Sequence, residues 1–67
     1  MEIAKLIKEL RKEKKLTQTE LAKLLNTTQD TISLWELGKS LPSVIDLVNL
    51  CKIFNVSADY LLGLQGI

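Results

Sequence analysis

The sequence predicts an all-α domain built from five short helices. Three observations lead there. Apolar residues recur at three- and four-residue spacing, and no stretch alternates as a half-buried strand does. Hydroxyl residues suited to helix N-caps stand at Thr17, Thr28, Ser43 and Ser57. Stop residues, Asn26, Gly38 and Gly63, follow three of the segments these caps open.

The elements follow in order, near residues 2–14, 18–25, 28–37, 43–54 and 57–62. Ile3, Leu6, Ile7 and Leu10 give the first helix its apolar stripe, and no proline or glycine interrupts it. Thr17 opens the second, with Glu20 three residues on to complete a capping box. Leu21, Ala22, Leu24 and Leu25 supply its inner side, and the small Ala22 admits a close neighbour. About two turns long, this helix must pack on something to persist. Asn26 tolerates a left-handed exit. Thr28 caps the third helix, whose inward edge is Ile32 and Trp35 and whose end is Gly38. So short a link forces helices two and three to turn sharply against each other.

Pro42 discourages helix at Leu41. Ser43 and Asp46 repeat the capping-box spacing, and Val44, Leu47, Val48, Cys51 and Phe54 line the fourth helix. Asn55 and Val56 make a turn. Ser57 caps the last helix, with Leu61 and Leu62 apolar, before a tail at 64–67. No segments repeat, and 1–67 reads as one domain with its helix-turn-helix at about 17–37.

Composition removes most function classes. Sixty-seven residues hold one modest core, and a deep enzyme pocket would take side chains from it. With one cysteine and no histidine, neither an internal disulfide nor a usual zinc site is available. No apolar run is long enough to span a membrane, the N-terminus lacks a signal-type stretch, and the expected compartment is cytoplasmic. No cofactor or small-molecule ligand is evident. The only acids near the third helix's outer face are Asp30 and Glu36, without a histidine, metal cluster or phosphate-gripping loop, so an enzyme is not expected.

The net charge of +1 says little about nucleic acid, but its distribution says more. Lys5, Lys8, Arg11, Lys12, Lys14 and Lys15 crowd the first fifteen residues against three glutamates. Near a helix C-terminus lysines also suit the helix dipole, so this density alone proves nothing. Helix three is more telling. In a helix-turn-helix its N-terminal residues reach base edges in the DNA major groove. Here those are Gln29, Asp30, Thr31 and Ser33, followed by Leu34. Glutamine pairs bidentately with adenine, Ser and Thr serve several bases, Asp accepts from the cytosine amino group, and leucine meets a thymine methyl. N–H groups at the helix starts can hold phosphate, which includes the turn at Thr28. The bland reading makes Gln29 and Thr31 solvated residues on a short helix. Trp35, three residues from Ile32, reads as core rather than as a stacking platform. Cys51 reads as core too, since no second cysteine could resolve an oxidised form.

The stretches LTQTELAKLLNTTQDTISLWELGK, LPS and IFNVSADYLLG resemble the Cro/C1-type family of phage repressors and Cro proteins, over about residues 3–63. The resemblance implies a compact, lambda-repressor-like five-helix DNA-binding domain. It implies a regulator of transcription, a repressor of phage, prophage or bacterial origin, that binds double-stranded DNA at a palindromic operator as a homodimer. Gln18 and Gln29 match positions that act together at the groove edge. Gln29, Asp30 and Leu34 match base-facing positions. Arg11 matches a basic position that pairs with Glu36 and lies near phosphate, and Lys39 and Ser40 match a backbone-touching loop. The resemblance thus gives Arg11, Gln18, Thr28, Lys39 and Ser40 as phosphate contacts. A surface Arg11–Glu36 pair would be worth about 0–1 kcal/mol.

The chain also departs from the family. Leu34, Leu37 and Leu41 stand where many relatives carry Lys or Arg, and Asp30 adds a negative charge near phosphates. Lys15 and Asn26 replace glycines, an inexpensive change if Lys15 extends a turn and Asn26 keeps its left-handed exit. The leucines define the alternative function, a protein-interaction module using the Leu34/Leu37/Leu41 surface with weak or lost DNA binding. For a dimer, the tail with Leu64 and Ile67 is favoured over the region of Leu37 and Leu41, because the resemblance implies pairing through the C-terminal part and because Leu37 is expected to be partly covered by the following loop.

Overall fold

The computed structural model describes residues 2–64. Five helices follow in order: α1 (Ile3–Glu13), α2 (Gln18–Leu24), α3 (Gln29–Glu36), α4 (Val44–Phe54) and α5 (Ala58–Leu61), with no strand among the described residues. The small differences from the expected bounds are cap residues counted inside or outside the helix.

The helix starts follow the sequence closely. The hydroxyls of Thr17, Thr28, Ser43 and Ser57 each accept the backbone N–H three residues on. Only Thr17 closes a full capping box, its N–H donating to Glu20 Oε1 at 2.8 Å. At Ser43 the expected reciprocal bond is replaced. The shorter Asp46 side chain accepts from the Ser43 hydroxyl at 2.9 Å instead of from its backbone.

The helix ends share one device. Lys15, Asn26, Gly38, Asn55 and Gly63, one after each helix, all adopt the left-handed conformation. After α3, Gly38 N–H bonds Trp35 O at 3.1 Å and Lys39 N–H bonds Leu34 O at 2.9 Å, a full Schellman motif. Lys15 therefore does not extend a turn. It takes the left-handed position directly at φ 58°, a conformation that costs a non-glycine residue about 1–2 kcal/mol. The same pair of bonds, Lys15 N–H to Lys12 O and Leu16 N–H to Arg11 O, offsets that cost.

Ile3 and Ile7 of α1, Leu21, Ala22 and Leu25 around α2, Ile32 and Trp35 of α3, Leu50 and Phe54 of α4 and Leu61 of α5 form one core. α3 packs against both α1 and α2, so the recognition helix candidate is held from two sides. Cys51 is partly buried and packs on this core.

Three residues expected inside lie outside. Leu24, Val44 and Val48 are exposed. On α4 the inward stripe is Leu47, Leu50, Cys51 and Phe54, the i, i+3, i+4, i+7 pattern. Val48 sits one step round from it, and the first turn of α4, with Val44, stands clear of the core. Leu37 is exposed as well, not covered by the loop that follows.

Candidate nucleic-acid interface

The outer surface of α3 is polar at its start and apolar toward its end. Gln29 and Asp30 are exposed, Thr31 and Ser33 half-buried, and Leu34 exposed. Asp30, Ser33, Leu34 and Leu37 follow the i, i+3, i+4, i+7 spacing and share one face. Thr31 is partly engaged by its own cap, its hydroxyl lying 2.9 Å from that of Thr28. Lys39 and Ser40 are exposed immediately after the helix.

Behind Gln29 runs a chain of hydrogen bonds into the domain. Gln29 Nε2 donates to Gln18 Oε1 at 2.6 Å, and Gln18 Nε2 donates to Glu36 Oε1 at 3.1 Å. Arg11 grips the same carboxylate with two bonds, Nε to Oε2 at 2.6 Å and Nη2 to Oε1 at 3.1 Å. A third Arg11 nitrogen, Nη1, donates to Leu16 O at 2.8 Å. Local structure places each part. Gln29 and Glu36 are seven residues apart, so two helical turns bring them to one side of α3. Gln18, first residue of α2, bridges the gap because the tight turn holds α2 against α3.

The direction of this chain is dictated by chemistry. A carboxylate only accepts, so the Gln18 NH₂ must face Glu36 and its carbonyl must face Gln29. The Gln29 NH₂ then faces Gln18. One amide hydrogen and the Oε1 of Gln29 are left for the outer surface, a donor and an acceptor side by side, the pair that matches adenine N7 and N6.

Arg11 and Glu36 are not a surface pair. Their side chains are only 11% and 4% exposed, so each charge depends on the other. Burial pushes the Glu36 carboxyl up, but hydrogen bonds from Arg11 and Gln18 and the charges of Arg11 and Lys8 outweigh it. The result lies below the ordinary carboxylate value. The hydrogen bond to Glu36 likewise raises the Arg11 guanidinium. The Arg11 guanidinium is directed inward, at Glu36 and Leu16 O, and anchors the relay. Gln18, also read as a phosphate contact, has both ends of its amide directed at protein partners. Thr28, Lys39 and Ser40 remain at the surface.

Sequence reasoning did not find that Arg11 lies inside, although a signal was present. Ile3, Ile7 and Arg11 are spaced by four, so Arg11 occupies the next position of a buried stripe. Exposed basic residues gather instead at Lys12, Lys14 and Lys15, directly before the start of α2. Among the described residues no group of His, Cys, Asp and Glu could hold a metal, and no helix is long and apolar enough to cross a membrane.

This geometry has counterparts in known proteins. Residues 7–61 match the family described as Helix-turn-helix. The chain is 43% identical over 56 residues to the HTH-type transcriptional regulator YqaE of Bacillus subtilis (strain 168), covering 84% of this chain and 48% of that protein. It is 40% identical over 63 residues to the HTH-type transcriptional activator BcrR of Enterococcus faecalis, covering 94% of this chain and 31% of that one. It therefore spans about half or less of the length of these curated relatives. The P22 c2 repressor protein, solved in complex with synthetic operator 9T in the presence of Tl+, superposes with a TM-score of 0.85 at 32% identity, over 97% of this chain and 96% of that one.

Proposed function

The chain belongs to the helix-turn-helix family of Cro/C1-type transcriptional regulators, and we propose that it reads double-stranded DNA with α3 and acts as a repressor at a palindromic operator, as a homodimer. The observation that carries this reading is the fixed polarity of the Arg11–Glu36–Gln18–Gln29 relay. A solvated glutamine needs no such support. An amide held in one orientation at the start of an exposed helix is prepared for a base edge, adenine by its donor and acceptor order.

Around Gln29 the remaining roles follow from position. Asp30 and Ser33 present polar groups to neighbouring base pairs, Thr31 reaches them only on releasing Thr28, and Leu34 offers an apolar surface to a thymine methyl. On this reading Thr28, Ser40 and Lys39, which flank α3, take phosphate, and Lys12, Lys14 and Lys15 stand just before the N-terminus of α2. Repression is supported by the likeness to the P22 c2 repressor protein. The BcrR relative is named an activator, so the sign of regulation belongs to the promoter context as well as to the fold.

A second reading draws on the exposed Leu34, Leu37 and Leu41. Such a surface suits a protein-interaction module with weak or lost DNA binding. Selection from a random duplex library, followed by titration at several salt concentrations, separates the two. A reader of DNA enriches one sequence, and its affinity falls linearly with salt on logarithmic axes. A library that returns no enriched sequence sinks the DNA-reading proposal and leaves the protein-interaction reading.

A further inference from the structure

The amide of Gln29 stands at the surface, but what lies behind it limits how it can turn. Its Nε2 gives one hydrogen to Gln18 Oε1 at 2.6 Å. Gln18 is not free to reverse and release it. Gln18 Nε2 donates to Glu36 Oε1 at 3.1 Å, and a carboxylate has no hydrogen to offer a reversed amide. Glu36 does not turn away either. Its side chain is 4% exposed, and Arg11 holds both of its oxygens, Nε on Oε2 and Nη2 on Oε1. The constraint on an exposed amide therefore originates at a buried acceptor.

We infer that Glu36 is a positioning residue that excludes guanine from the base pair Gln29 reads, by fixing the direction of both amides. The inference rests on the DNA-reading proposal and adds which base is refused and which residue refuses it. The reason is a count of donors. Adenine presents a donor at N6 and an acceptor at N7, whereas guanine presents acceptors at both O6 and N7. A free glutamine meets either one, adenine with Oε1 and one amide hydrogen, guanine with the two hydrogens of Nε2. Here one of those hydrogens is already given to Gln18, so only the adenine set is left. Guanine then gains at most one hydrogen bond and sets an acceptor against Gln29 Oε1. Turning the Gln29 amide over does not relieve this, because its Oε1 would face Gln18 Oε1. Turning both amides over sets the Gln18 carbonyl against the Glu36 carboxylate, and a buried acceptor without a donor is costly. Two linked glutamines without that carboxylate could reverse together, so the selectivity comes from Glu36 and not from the glutamine pair.

The test uses the duplex selected from the library, altered at the base pair where Gln29→Ala relaxes the preference. In the first arm the wild-type chain is titrated on three versions of that pair. One is adenine opposite thymine. The second is purine opposite thymine, which keeps N7 and has no group at C6. The third is hypoxanthine opposite 5-methylcytosine, which has O6 and N7, lacks the minor-groove amine of guanine and keeps the pyrimidine methyl. Purine should bind about tenfold more weakly than adenine, for one lost hydrogen bond. Hypoxanthine should bind more weakly still, by on the order of 10²-fold, because an acceptor now opposes Oε1. Hypoxanthine bound as well as purine would show an amide free to turn and would overturn the inference. In the second arm Glu36→Gln, which keeps the shape and adds a hydrogen, should bring the hypoxanthine penalty down to that of purine. A loss of stability lowers all three affinities alike and leaves their ratios unchanged. Arg11→Met with Glu36→Leu removes both charges in a similar volume and guards against a misfolded single variant. Wild-type ratios in either folded variant would overturn the inference. Guanine at this position of the selected duplex would overturn it alone. A library that returns no duplex overturns the DNA-reading proposal, and this inference with it.

Discussion

Replacing Glu36 separates the structural and functional parts of the relay. In Glu36→Ala, Arg11 loses two of its three hydrogen bonds and keeps only Leu16 O. Breaking a buried pair by removing one partner costs about 3–5 kcal/mol, because a charge is left uncompensated. The Arg11 side chain retains 11% exposure, so water relieves part of this, and the lower end, about 3 kcal/mol, applies. A chain of 67 residues has a total stability of about 3–10 kcal/mol. The loss is therefore a large fraction of the whole, and the urea midpoint should fall by about 2–3 M with little change in slope. Replacing both partners, Arg11→Met with Glu36→Leu, removes both charges in a similar volume and should restore stability to within about 1 kcal/mol of wild type. That double variant has no acceptor to orient Gln18. It should fold yet lose preference for the base pair that Gln29 reads. Two results would refute the reasoning. A Glu36→Ala cost below about 1 kcal/mol would return the pair to surface status. A stable double variant with full base preference would show that the relay does not orient Gln29.

The other predictions use the same duplex and the same titrations. Gln29→Ala should cost about 1–3 kcal/mol at one base pair and little elsewhere; equal loss on matched and mismatched duplexes would count against base reading. Lys39→Ala should weaken every duplex alike and reduce the salt slope by about one counterion, as measured across a salt series. Asp30→Asn should strengthen binding to random DNA more than to the selected site, since the carboxylate stands where α3 backbone donors would favour phosphate. Unchanged affinity for both would make Asp30 a helix-dipole residue only. On acidification, the depressed Glu36 carboxyl has a definite sign. Its contribution is fully present above the ordinary value of 4.5 and is lost as pH falls through the lower folded value. Urea midpoints measured downward from pH 6 should therefore fall more steeply for wild type than for Glu36→Gln.

The helices were legible because caps and stops are local chemistry. Thr17, Thr28, Ser43 and Ser57 satisfy N–H groups three residues away, and Asn26, Gly38 and Gly63 tolerate left-handed backbone. None of this needs knowledge of the tertiary structure. Lys15 was misread for the complementary reason. Lysine has no preference for that conformation, and only the closing bonds to Lys12 and Arg11 hold it there. Burial was less legible than helicity. Val44 and Val48 lie at spacings that suit the inner stripe of α4, and periodicity alone does not say how far along a helix the core extends. For Arg11 the pairing with Glu36 was implied by the resemblance, but its burial was not, although Arg11 continues the Ile3 and Ile7 core stripe. The surface residues of α3 were identified, but the order in which Gln18 and Gln29 hold each other depends on an acceptor in another part of the chain.

The placement of charge bears on why one copy is insufficient. α3 carries Asp30 and Glu36 and no cation, and its outer end is leucine. Three of the exposed lysines, Lys12, Lys14 and Lys15, stand at the end of α1, and Lys39 stands just after α3. On the DNA-reading proposal, the few cations beside α3 mean few counterions released there. Weak general binding raises the relative weight of base contacts, each worth about 1–3 kcal/mol. A single α3 presents only three or four such contacts, too few for tight occupancy. Two copies on a palindromic site, as proposed, double them. For copies that associate only on the duplex, occupancy of a full site rises as the square of protein concentration, while a half-site fills in simple proportion. A regulator built this way switches over a narrower range of its own abundance than a tight monomer or a preformed dimer.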